Sequence, residues 1–421
     1  MGRNTQKKGS YMSKTRRVGV MASGLRMPII RPGDDLVSLV KEAVLAAAKE
    51  EGWNLKDRDV VAVTESLVAR AQSNFVTQAE VAGEIERIFG AGDLGVVYPI
   101  LSRNRFLAIL EAVAQVKGIG KIYVMLSYPK DEEGNSLFNE NKMWEWEINP
   151  YTEVISGSQL RKMCSEAERR HPFTGVDYLE LYEGVDERIE VILANDPQEI
   201  LQKTGRVLVA NVHERERTKA RIMAGEGVEK VVTLAQLCTA PLEREGGEQS
   251  GYCPDYGLLG SNMAKEGELK LFPRDGQEFV EKLAVELRQA TGKEIEVMIY
   301  GDGAFKDPVG GIWELADPVV SPAFTAGLVG KPTEIKLKYV ISNEEKMNEE
   351  ELKGRIRKKQ EEVQGETAEA TKKLAKDGSL GTTPRQNTDL LGSLADLVSG
   401  SGDKGTPVVV IRGFFDHLSD E

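Results

Sequence analysis

Short apolar runs alternate with longer amphipathic stretches along most of this chain. The runs VVAV (60–63), YVML (123–126) and VVVI (408–411) are typical of buried strands. Residues 35–52 and 275–292 instead carry apolar side chains at helical spacing, and each stretch stops at a glycine. Asp34 or Asp35 can cap the first of these helices. The alternation predicts a mixed α/β (α+β) fold.

Length, charge and cysteine content restrict the class of protein. A chain of 421 residues is too long for one ordinary core and predicts two or three domains. No apolar run approaches the ~20 residues that span a bilayer, so we expect no membrane partner. A net charge of −12 disfavours a protein that works by neutralising nucleic-acid phosphates. Three widely spaced cysteines indicate no disulfide framework and favour a reducing, cytoplasmic setting.

Composition divides the chain into four segments. Residues 1–15 are a basic, polar tail, and residues 16–128 contain the first strands and helices. Residues 129–250 begin with a polar, tryptophan-bearing stretch and continue with alternating strands and helices, including a helix over 157–170, which indicates an inserted α/β region. Residues 251–421 form a C-terminal region, in which the highly charged segment 343–376 predicts a solvated helix or helical hairpin.

Several familiar catalytic motifs are absent from the sequence. It contains no GxxxxGK[ST], no GxSxG and no HExxH, and no GxGxxG follows a predicted strand. The sequence therefore gives no support to a P-loop enzyme, a kinase, a protease or a Rossmann dinucleotide-binding protein.

Five polar, glycine-bearing loops at predicted strand ends are the candidate sites. They are residues 25–35, 64–73, 253–262, 299–311 and 398–407. Glycine at such a junction lets backbone N–H groups approach a phosphate, and a neighbouring aspartate can hold a divalent metal. Ordinary turns explain the same residues, because Asp302 between glycines is also typical of a hairpin turn and Ser261 or Asn262 can cap the next element.

In their order along the chain, these loops resemble those of the coenzyme F-420-0:L-glutamate (γ-glutamyl) ligase family. MPIIRPGDDLVSLVKEA (27–43) and DVVAVTESLVARAQS (59–73) are similar to its first two sequence blocks. GLLGSN (257–262) resembles the loop AGVDxSN, and EVMIYGDGAFKDP (296–308) resembles the strand that ends in TDTFGRPW. The most persuasive match is LADLVSGSGDKGTPVVVIRG (394–413). The resemblance covers about 17–110 and 254–415 and leaves out most of 130–250.

The resemblance implies a fold, cofactors and a reaction. The fold is the mixed α/β fold of this ligase family, with 129–250 as an insertion and with two chains in a homodimer. The implied cofactors are GTP, with ATP as the alternative, and Mg²⁺ or Mn²⁺. The implied reaction joins L-glutamate to a carboxylate of a small-molecule acceptor through a γ-glutamyl amide bond, by way of an acyl phosphate. The acceptor is F-420-0 or another cofactor such as a folate, and a non-catalytic nucleotide-binding or assembly module is the alternative function.

The family's site residues map onto the same loops. Asp302 and Arg70 are the implied catalytic residues, and Arg70 stands where the family has a lysine, which keeps the positive charge. Asp302 is also an implied metal ligand. The implied nucleotide-binding residues are Met27, Pro28, Ile29, Ile30, Thr64, Glu65, Arg70, Asn262, Ser399, Gly400, Ser401, Gly402, Asp403 and Gly405.

Three positions depart from the family's metal-binding pattern. Leu259 replaces an aspartate, Gly303 replaces a threonine, and Ser401 replaces a glutamine or glutamate. Because leucine cannot coordinate a hard cation, we expect Asp255, four residues earlier in the same loop, to replace the lost ligand. Further candidate ligands are Glu314, Asp317 and Asp403.

Overall fold

The computed structural model describes residues 18–102, 105–171, 174–244, 249–301, 305–306, 313–314, 321–331, 349–365, 386–399 and 405–416. The strands are β1 (Met21–Leu25), β2 (Val60–Thr64), β3 (Phe75–Thr77), β4 (Gly92–Val97), β5 (Ile119–Leu126), β6 (Ile155–Ser156), β7 (Ile189–Leu193), β8 (Arg206–Val209), β9 (Lys230–Thr233), β10 (Asn262–Lys265), β11 (Glu268–Lys270), β12 (Glu296–Tyr300), β13 (Phe305–Lys306), β14 (Trp313–Glu314), β15 (Ala323–Phe324) and β16 (Val408–Arg412).

The helices are α1 (Leu36–Glu50), α2 (Glu65–Ala71), α3 (Gln78–Phe89), α4 (Phe106–Gln115), α5 (Lys142–Glu145), α6 (Gly157–Met163), α7 (Glu166–Arg169), α8 (Tyr178–Glu183), α9 (Arg215–Met223), α10 (Gly276–Thr291), α11 (Glu349–Gly365) and α12 (Asn387–Ser399). Short 3₁₀ helices are Pro197–Gln202, Leu234–Gln236 and Ala326–Leu328. The mixture of helices and sheets confirms the predicted mixed α/β (α+β) class.

A five-stranded sheet has the order β1-β16-β2-β12-β15. β2 and β12 are parallel, and the other neighbouring strands are antiparallel. The central strands β2 and β16 are almost entirely buried, as their VVAV and VVVI patterns predict. Val40, Val44 and Leu283 of α1 and α10 pack in the core on one face, and Leu391 and Ala395 of α12 pack in the core on the other.

A six-stranded sheet has the order β6-β7-β5-β4-β8-β9. Five of these strands, β7, β5, β4, β8 and β9, run parallel to one another, and β6 is an antiparallel edge strand. The chain runs from β4 through β5 to β7, and then returns to the other side of β4 for β8 and β9. The winding therefore reverses between β4 and β8, as in doubly wound sheets. The predicted boundary at residue 129 falls between strands of this sheet, and the division into domains stays a prediction.

A small antiparallel sheet, β10-β11-β3, connects the two large sheets. β11 contacts α2, which follows β2 of the five-stranded sheet, and β10 contacts α4, which follows β4 of the six-stranded sheet. Residues of this small sheet are therefore held close to the carboxyl ends of strands in both large sheets.

Most of the strongly periodic elements are confirmed. In α1 the side chain of Asp35 accepts a hydrogen bond from the N–H of Ser38, and α10 ends at Gly292, whose φ is 68°. The prediction of one helix over 157–170 is wrong, because extended backbone at Cys164 interrupts it and Ser165 starts a second short helix. In the charged segment 343–376 the structure describes α11, and the rest of that segment lies outside the described residues.

Two further findings concern the cysteines and the helices. Cys164, Cys238 and Cys253 are free and buried. None of the helices in the described part of the chain has the length and apolar character needed to cross a bilayer.

Candidate functional site

The predicted loops of the five-stranded sheet meet at the carboxyl end of β2. The main-chain N–H of Thr64 donates to the carbonyl of Pro407 at 3.0 Å, and the N–H of Met27 donates to the carbonyl of Gly405 at 3.1 Å. These bonds form because β16 pairs antiparallel with both β1 and β2, so the residues before β16 lie beside those after the other two strands. Three loops that are far apart in the sequence are thus brought to one edge of the sheet.

A buried ion pair lies directly after β2. Glu65 is the first residue of α2 and Lys270 is the last residue of β11, and Lys270 Nζ lies 2.6 Å from Glu65 Oε1. The two side chains are only 5% and 7% exposed. Taking two charges out of water costs several kcal/mol per ion, and close pairing with further hydrogen bonds must offset this cost. The pair belongs to the candidate site because Glu65 lies in one of the loops that the family resemblance implies for the nucleotide.

Asn262 lies beside this ion pair. It is the first residue of β10 and is directly opposite Lys270 in the antiparallel register of β10 and β11. Directly opposed side chains lie on the same face of a sheet, with Cβ atoms about 5 Å apart. Asn262 is half-buried, and within the described residues its side chain forms no hydrogen bond. Its amide can therefore bind a ligand next to the Lys270 ammonium.

A fully buried asparagine fixes the segment that contains Asn262 and Lys270. The Nδ2 of Asn74 donates to the carbonyl of Tyr252 at 2.9 Å and to that of Phe272 at 2.6 Å. Its Oδ1 accepts from the N–H of Tyr252 at 2.9 Å and from Arg274 Nη1 at 3.2 Å. Asn74 therefore uses its full hydrogen-bonding capacity to tie both ends of the segment 252–272 to the chain after α2. This positions Lys270 against Glu65.

Two glycines let the loop before β10 follow its path. Gly257 and Gly260 have φ angles of 53° and 72°, in the left-handed region that favours glycine. A Cβ on Gly257 would lie 2.3 Å from the carbonyl oxygen of Leu237. A Cβ on Gly260 would lie 2.3 Å from the ring of Phe272. The loop requires glycine at both positions for conformation and for close packing.

Comparison with known proteins shows the family. The family described as F420-0:Gamma-glutamyl ligase matches residues 24–413, which is most of the chain. The chain belongs to this family. It is also similar to the Coenzyme F420:L-glutamate ligase of Methanocaldococcus jannaschii, with 28% identity over 161 residues, which are 38% of this chain and 47% of that protein. The alignment thus spans about half the length of this curated relative.

The bounds of the family match enclose residues 129–250, which the resemblance of the loops alone left out. That segment carries β7, β8 and β9 of the six-stranded sheet. The γ-glutamyl ligase family match therefore extends over both large sheets, and the mixed α/β fold predicted from the resemblance is confirmed.

Leu259 and Asp255 occupy different environments in the loop that the family resemblance predicts to bind a metal. Leu259, which stands at the family's aspartate, is 5% exposed and packs in the core beside the six-stranded sheet. Asp255 is exposed. Within the described residues, no group of three or more His, Cys, Asp or Glu side chains is arranged to hold a metal ion. The role of Asp255 as a metal ligand stays a prediction.

The other predicted site residues are distributed over the loop edge. Met27 is half-buried, Pro28 and Ile29 are exposed, and Ile30 belongs to the core. The carbonyl of Ser399, at the end of α12, accepts from the Thr406 hydroxyl at 2.6 Å.

Arg70 is exposed near the end of α2. It follows Glu65 by five residues and so lies on another face of that helix. The structure thus does not bring Arg70 to the Glu65–Lys270 pair. Outside the described residues lie Asp302, Gly303, Asp317, Gly400, Ser401, Gly402 and Asp403, as well as the side chain of Glu314.

Sequence reasoning placed Glu65 and Asn262 in one site but missed Lys270. The structure brings all three together. The available signal is Lys270 itself, a single charged residue that interrupts the apolar run in LKLF (269–272). A charge inside a short apolar run indicates either an exposed face or a buried partner, and here the partner is Glu65.

A second polar cluster lies at the carboxyl ends of β5 and β8. Glu132 accepts from three successive main-chain N–H groups, those of Val212, of His213 at 3.0 Å and of Glu214 at 3.2 Å. Burial raises the pKa of Glu132. Glu133 Oε1 lies 2.5 Å from His213 Nε2, and this hydrogen bond raises the pKa of the imidazole above 6.5. Glu132 thus occupies the N–H groups before α9 that an anion would otherwise bind.

Proposed function

We propose that the protein is a nucleotide- and metal-dependent ligase that joins the amine of L-glutamate to a carboxylate of a small-molecule acceptor. Membership in the F420-0:Gamma-glutamyl ligase family supports an amide-bond-forming reaction of this kind. The observation that carries the proposal is the buried Glu65–Lys270 pair beside Asn262. Glu65 and Asn262 lie in loops that the family resemblance assigns to the nucleotide. F-420-0 is the proposed acceptor, and a folate-like carboxylate is the alternative.

Lys270 and Asn262 would bind the phosphates of GTP, or of ATP. Phosphate oxygens accept hydrogen bonds from an ammonium group and from an amide N–H. Charge-assisted hydrogen bonds of this type are stronger than those between neutral groups. Glu65 uses one of the three Lys270 donors and leaves two for a phosphate. Because Glu65 also fixes the position of the ammonium, the site needs little reorganisation when charge develops on the transferring phosphoryl group.

The proposed reaction has two steps. An oxygen of the acceptor carboxylate attacks the γ-phosphorus of GTP, and the bond between that phosphorus and the bridging β-phosphate oxygen breaks. The products of this step are GDP and an acyl phosphate. The amine of L-glutamate then attacks the acyl carbon, the bond to the phosphate oxygen breaks, and the amine loses a proton as the amide forms. One phosphate is released for each glutamate added.

Mg²⁺ or Mn²⁺, when bound, would neutralise charge on the nucleotide phosphates. Asp302 and Asp255 are the proposed ligands, because carboxylate oxygens suit these hard cations. Asp255 is exposed, and the described residues place no metal-binding group of acidic side chains around it. Arg70 is retained as a proposed phosphate contact, because an exposed arginine at the end of α2 can extend to a bound ligand.

The test is an assay of phosphate release with GTP or ATP, L-glutamate and either F-420-0 or folate, together with the mass of the product. We expect phosphate release that requires glutamate, and a product heavier by one glutamate residue. Lys270→Met is expected to lower turnover by about tenfold or more, because a charged hydrogen bond to phosphate is lost. Lys265→Met is the control, since this lysine on β10 is 71% exposed. Absence of glutamate-dependent release with every acceptor would contradict the proposal.

A second candidate function is nucleotide binding without catalysis, as in an assembly module. The burial of Leu259 at the family's metal aspartate favours it. Thermal unfolding with GTP and Mg²⁺ or Mn²⁺ separates the two functions. Stabilisation that requires the metal and is lost in Asp302→Asn and Asp255→Asn supports the ligase, whereas nucleotide binding that is indifferent to metal supports the module. The proposed homodimer predicts a mass of two chains in light scattering, and a single-chain mass contradicts it.

A further inference from the structure

His213 combines an exposed imidazole ring with a buried carboxylate partner. Its Nε2 lies 2.5 Å from Glu133 Oε1, and the Glu133 side chain is 7% exposed whereas that of His213 is 46% exposed. The main-chain N–H of His213 donates to Glu132 Oε2 at 3.0 Å. Both the ring and the backbone of this residue are therefore fixed. Holding an exposed side chain in one orientation costs side-chain entropy, which the buried carboxylate offsets by pairing with the ring.

The hydrogen bond to Glu133 selects one form of the neutral ring. A carboxylate only accepts hydrogen bonds, so Nε2 carries the proton and Nδ1 carries the lone pair. Within the part of the chain that the structure describes, Nδ1 forms no hydrogen bond. A carboxylate that holds one imidazole nitrogen and leaves the other able to accept a proton is the arrangement that orients a general base in enzymes.

The charged groups around the ring suit this role. The hydrogen bond to Glu133 raises the pKa of the imidazole above 6.5, and the charge of Glu132 adds to the rise. Burial and the charge of Arg215, in the first turn of α9, oppose it. A general base is most effective when its pKa lies near the working pH, and histidine meets this condition close to neutrality.

His213 lies near the loop that leads to Asn262. It directly follows Val212, which lines a small apolar crevice together with Ser261. The enclosed space is only about 30 Å³, so the two sides of the crevice lie close together. One side continues directly into His213 and the other into Asn262.

The first turn of α9 gives a second indication of this proximity. Burial raises the pKa of Tyr256, in the same loop as Ser261, and the nearby charge of Arg215 opposes that rise. Arg215 follows His213 by two residues. The segment that carries His213 therefore faces the loop before β10 at two points.

The proposed second step needs a base that the nucleotide site does not supply. The amine of L-glutamate is protonated at neutral pH and has no lone pair until it loses a proton. Lys270 is a donor without an acceptor, and the Glu65 carboxylate is already paired with it. A base from another part of the chain is required.

We propose that His213 is the general base that takes a proton from the ammonium group of L-glutamate before the amine attacks the acyl phosphate. This assignment rests on the proposed function. The proton passes to Nδ1 of His213, and the nitrogen lone pair forms the bond to the acyl carbon. The second proton that the nitrogen loses goes to the departing phosphate, and His213 returns its proton to water. Glu133 is a positioning residue, which orients the ring and stabilises the imidazolium.

Hydroxylamine separates the two steps, because it is unprotonated at pH 7 and attacks an acyl phosphate without a base. The assay uses the full chain with GTP, Mg²⁺ and F-420-0, or folate if folate is the acceptor. It measures the hydroxamate formed with hydroxylamine and the amide formed with L-glutamate. In His213→Gln we expect hydroxamate at the parental rate and glutamate ligation slower by about 100-fold, as for the loss of a general base.

The pH dependence of the rate tests Glu133. The base must be neutral, so glutamate ligation should slow as pH falls through the imidazole pKa. Glu133→Gln removes the carboxylate that raises this pKa and should move the slowing to lower pH, without changing the profile measured with hydroxylamine. Glu214→Gln is the matched control, because this neighbouring side chain is 54% exposed and pairs with Arg217. It should leave both profiles unchanged, and thermal unfolding checks that each variant is folded.

Glutamate ligation at the parental rate in His213→Gln would overturn the role of His213 and leave the proposed function standing. Equal loss of hydroxamate and of amide in that variant would show a structural role instead. A pH profile that does not move in Glu133→Gln would also contradict the assignment. A parent chain that forms neither hydroxamate nor amide with either acceptor would contradict the proposed function, and the assignment of His213 would be lost with it.

Discussion

Glu65 and Lys270 are 205 residues apart in the sequence, yet their side chains form a 2.6 Å ion pair that is almost completely buried. The pair joins α2, next to the five-stranded sheet, to the small sheet that carries Asn262. The geometry of the proposed nucleotide site therefore depends on a long-range contact rather than on one loop.

Removing either charge of this pair should destabilise the fold. Lys270→Met and Glu65→Leu are each expected to lower the free energy of unfolding by about 3–5 kcal/mol, because each leaves an unpaired charge in the interior. The double variant should lose less free energy of unfolding than the two single variants lose in sum. Urea denaturation measures all three. Lys282→Met, from an exposed pair with Glu278, should change stability by less than about 1 kcal/mol. Strict additivity of the double variant would refute coupling between the two charges.

Replacing Asn74 should destabilise the fold about as much as replacing Glu65 or Lys270. Asn74→Ala leaves the carbonyls of Tyr252 and Phe272 without their donor, and each unmet buried group costs about 1–3 kcal/mol. We expect a loss of about 2–5 kcal/mol in the free energy of unfolding, and faster amide hydrogen exchange in the segment 252–272. Asn141→Ala changes an exposed asparagine and serves as control. Unchanged exchange in that segment would show that Asn74 does not hold it.

Three glycine substitutions should change the free energy of unfolding in different directions. Gly257→Ala and Gly260→Ala meet both a left-handed backbone and contacts of 2.3 Å, so each should destabilise the fold by more than about 1 kcal/mol. Gly83 lies exposed in the middle of α3, and a methyl group added there would have nothing within 4 Å. Gly83→Ala should therefore stabilise the protein by up to about 1 kcal/mol. Thermal unfolding of the three variants is the measurement, and a uniform effect would contradict the assigned roles.

His213 should make stability depend on pH. Its hydrogen bond to Glu133 raises the imidazole pKa above 6.5, with further attraction from Glu132 and an opposing effect of Arg215. A raised folded-state pKa means that the stabilisation is complete below pH 6.5 and is lost as pH rises through the folded-state pKa. The stability difference between the parent and His213→Gln should therefore shrink as pH rises above 6.5, by a modest amount because the imidazole is 46% exposed. Glu133→Gln should remove most of this dependence, and a difference that grows with pH would reverse the assignment.

The elements with the strongest periodicity could be predicted from the sequence. α1 and α10 have long apolar stripes with a cap or a terminal glycine, and β2 and β16 have continuous apolar runs. β4 was not predicted, because its sequence GDLGVV carries two glycines and only a short apolar end. The doubly wound order of the six-stranded sheet was not predicted either, because no glycine fingerprint follows a strand and pairing partners are set by tertiary packing.

The site was predictable only where a loop motif marks it. The family resemblance implies Glu65 and Asn262, and the register of β10 and β11 brings them together through Lys270. The alternation in ELKLF (268–272) places Lys270 on the face opposite Leu269 and Leu271, but it does not show that α2 covers that face. Asp302, which lies outside the described residues, stays a predicted metal ligand.

The position of β16 has a consequence for biosynthesis. β16 lies between β1 and β2, with Met21 opposite Arg412 and Val408 opposite Val63. A ribosome makes β1 and β2 early, but these strands have no shared neighbour until residues 408–412 have been translated and have left the exit tunnel. The six strands of the other large sheet, β4 to β9, are complete well before that. The nascent chain must therefore carry two strands with open edges, one of them valine-rich, through most of its synthesis, and open edges of this kind are prone to pair with other chains.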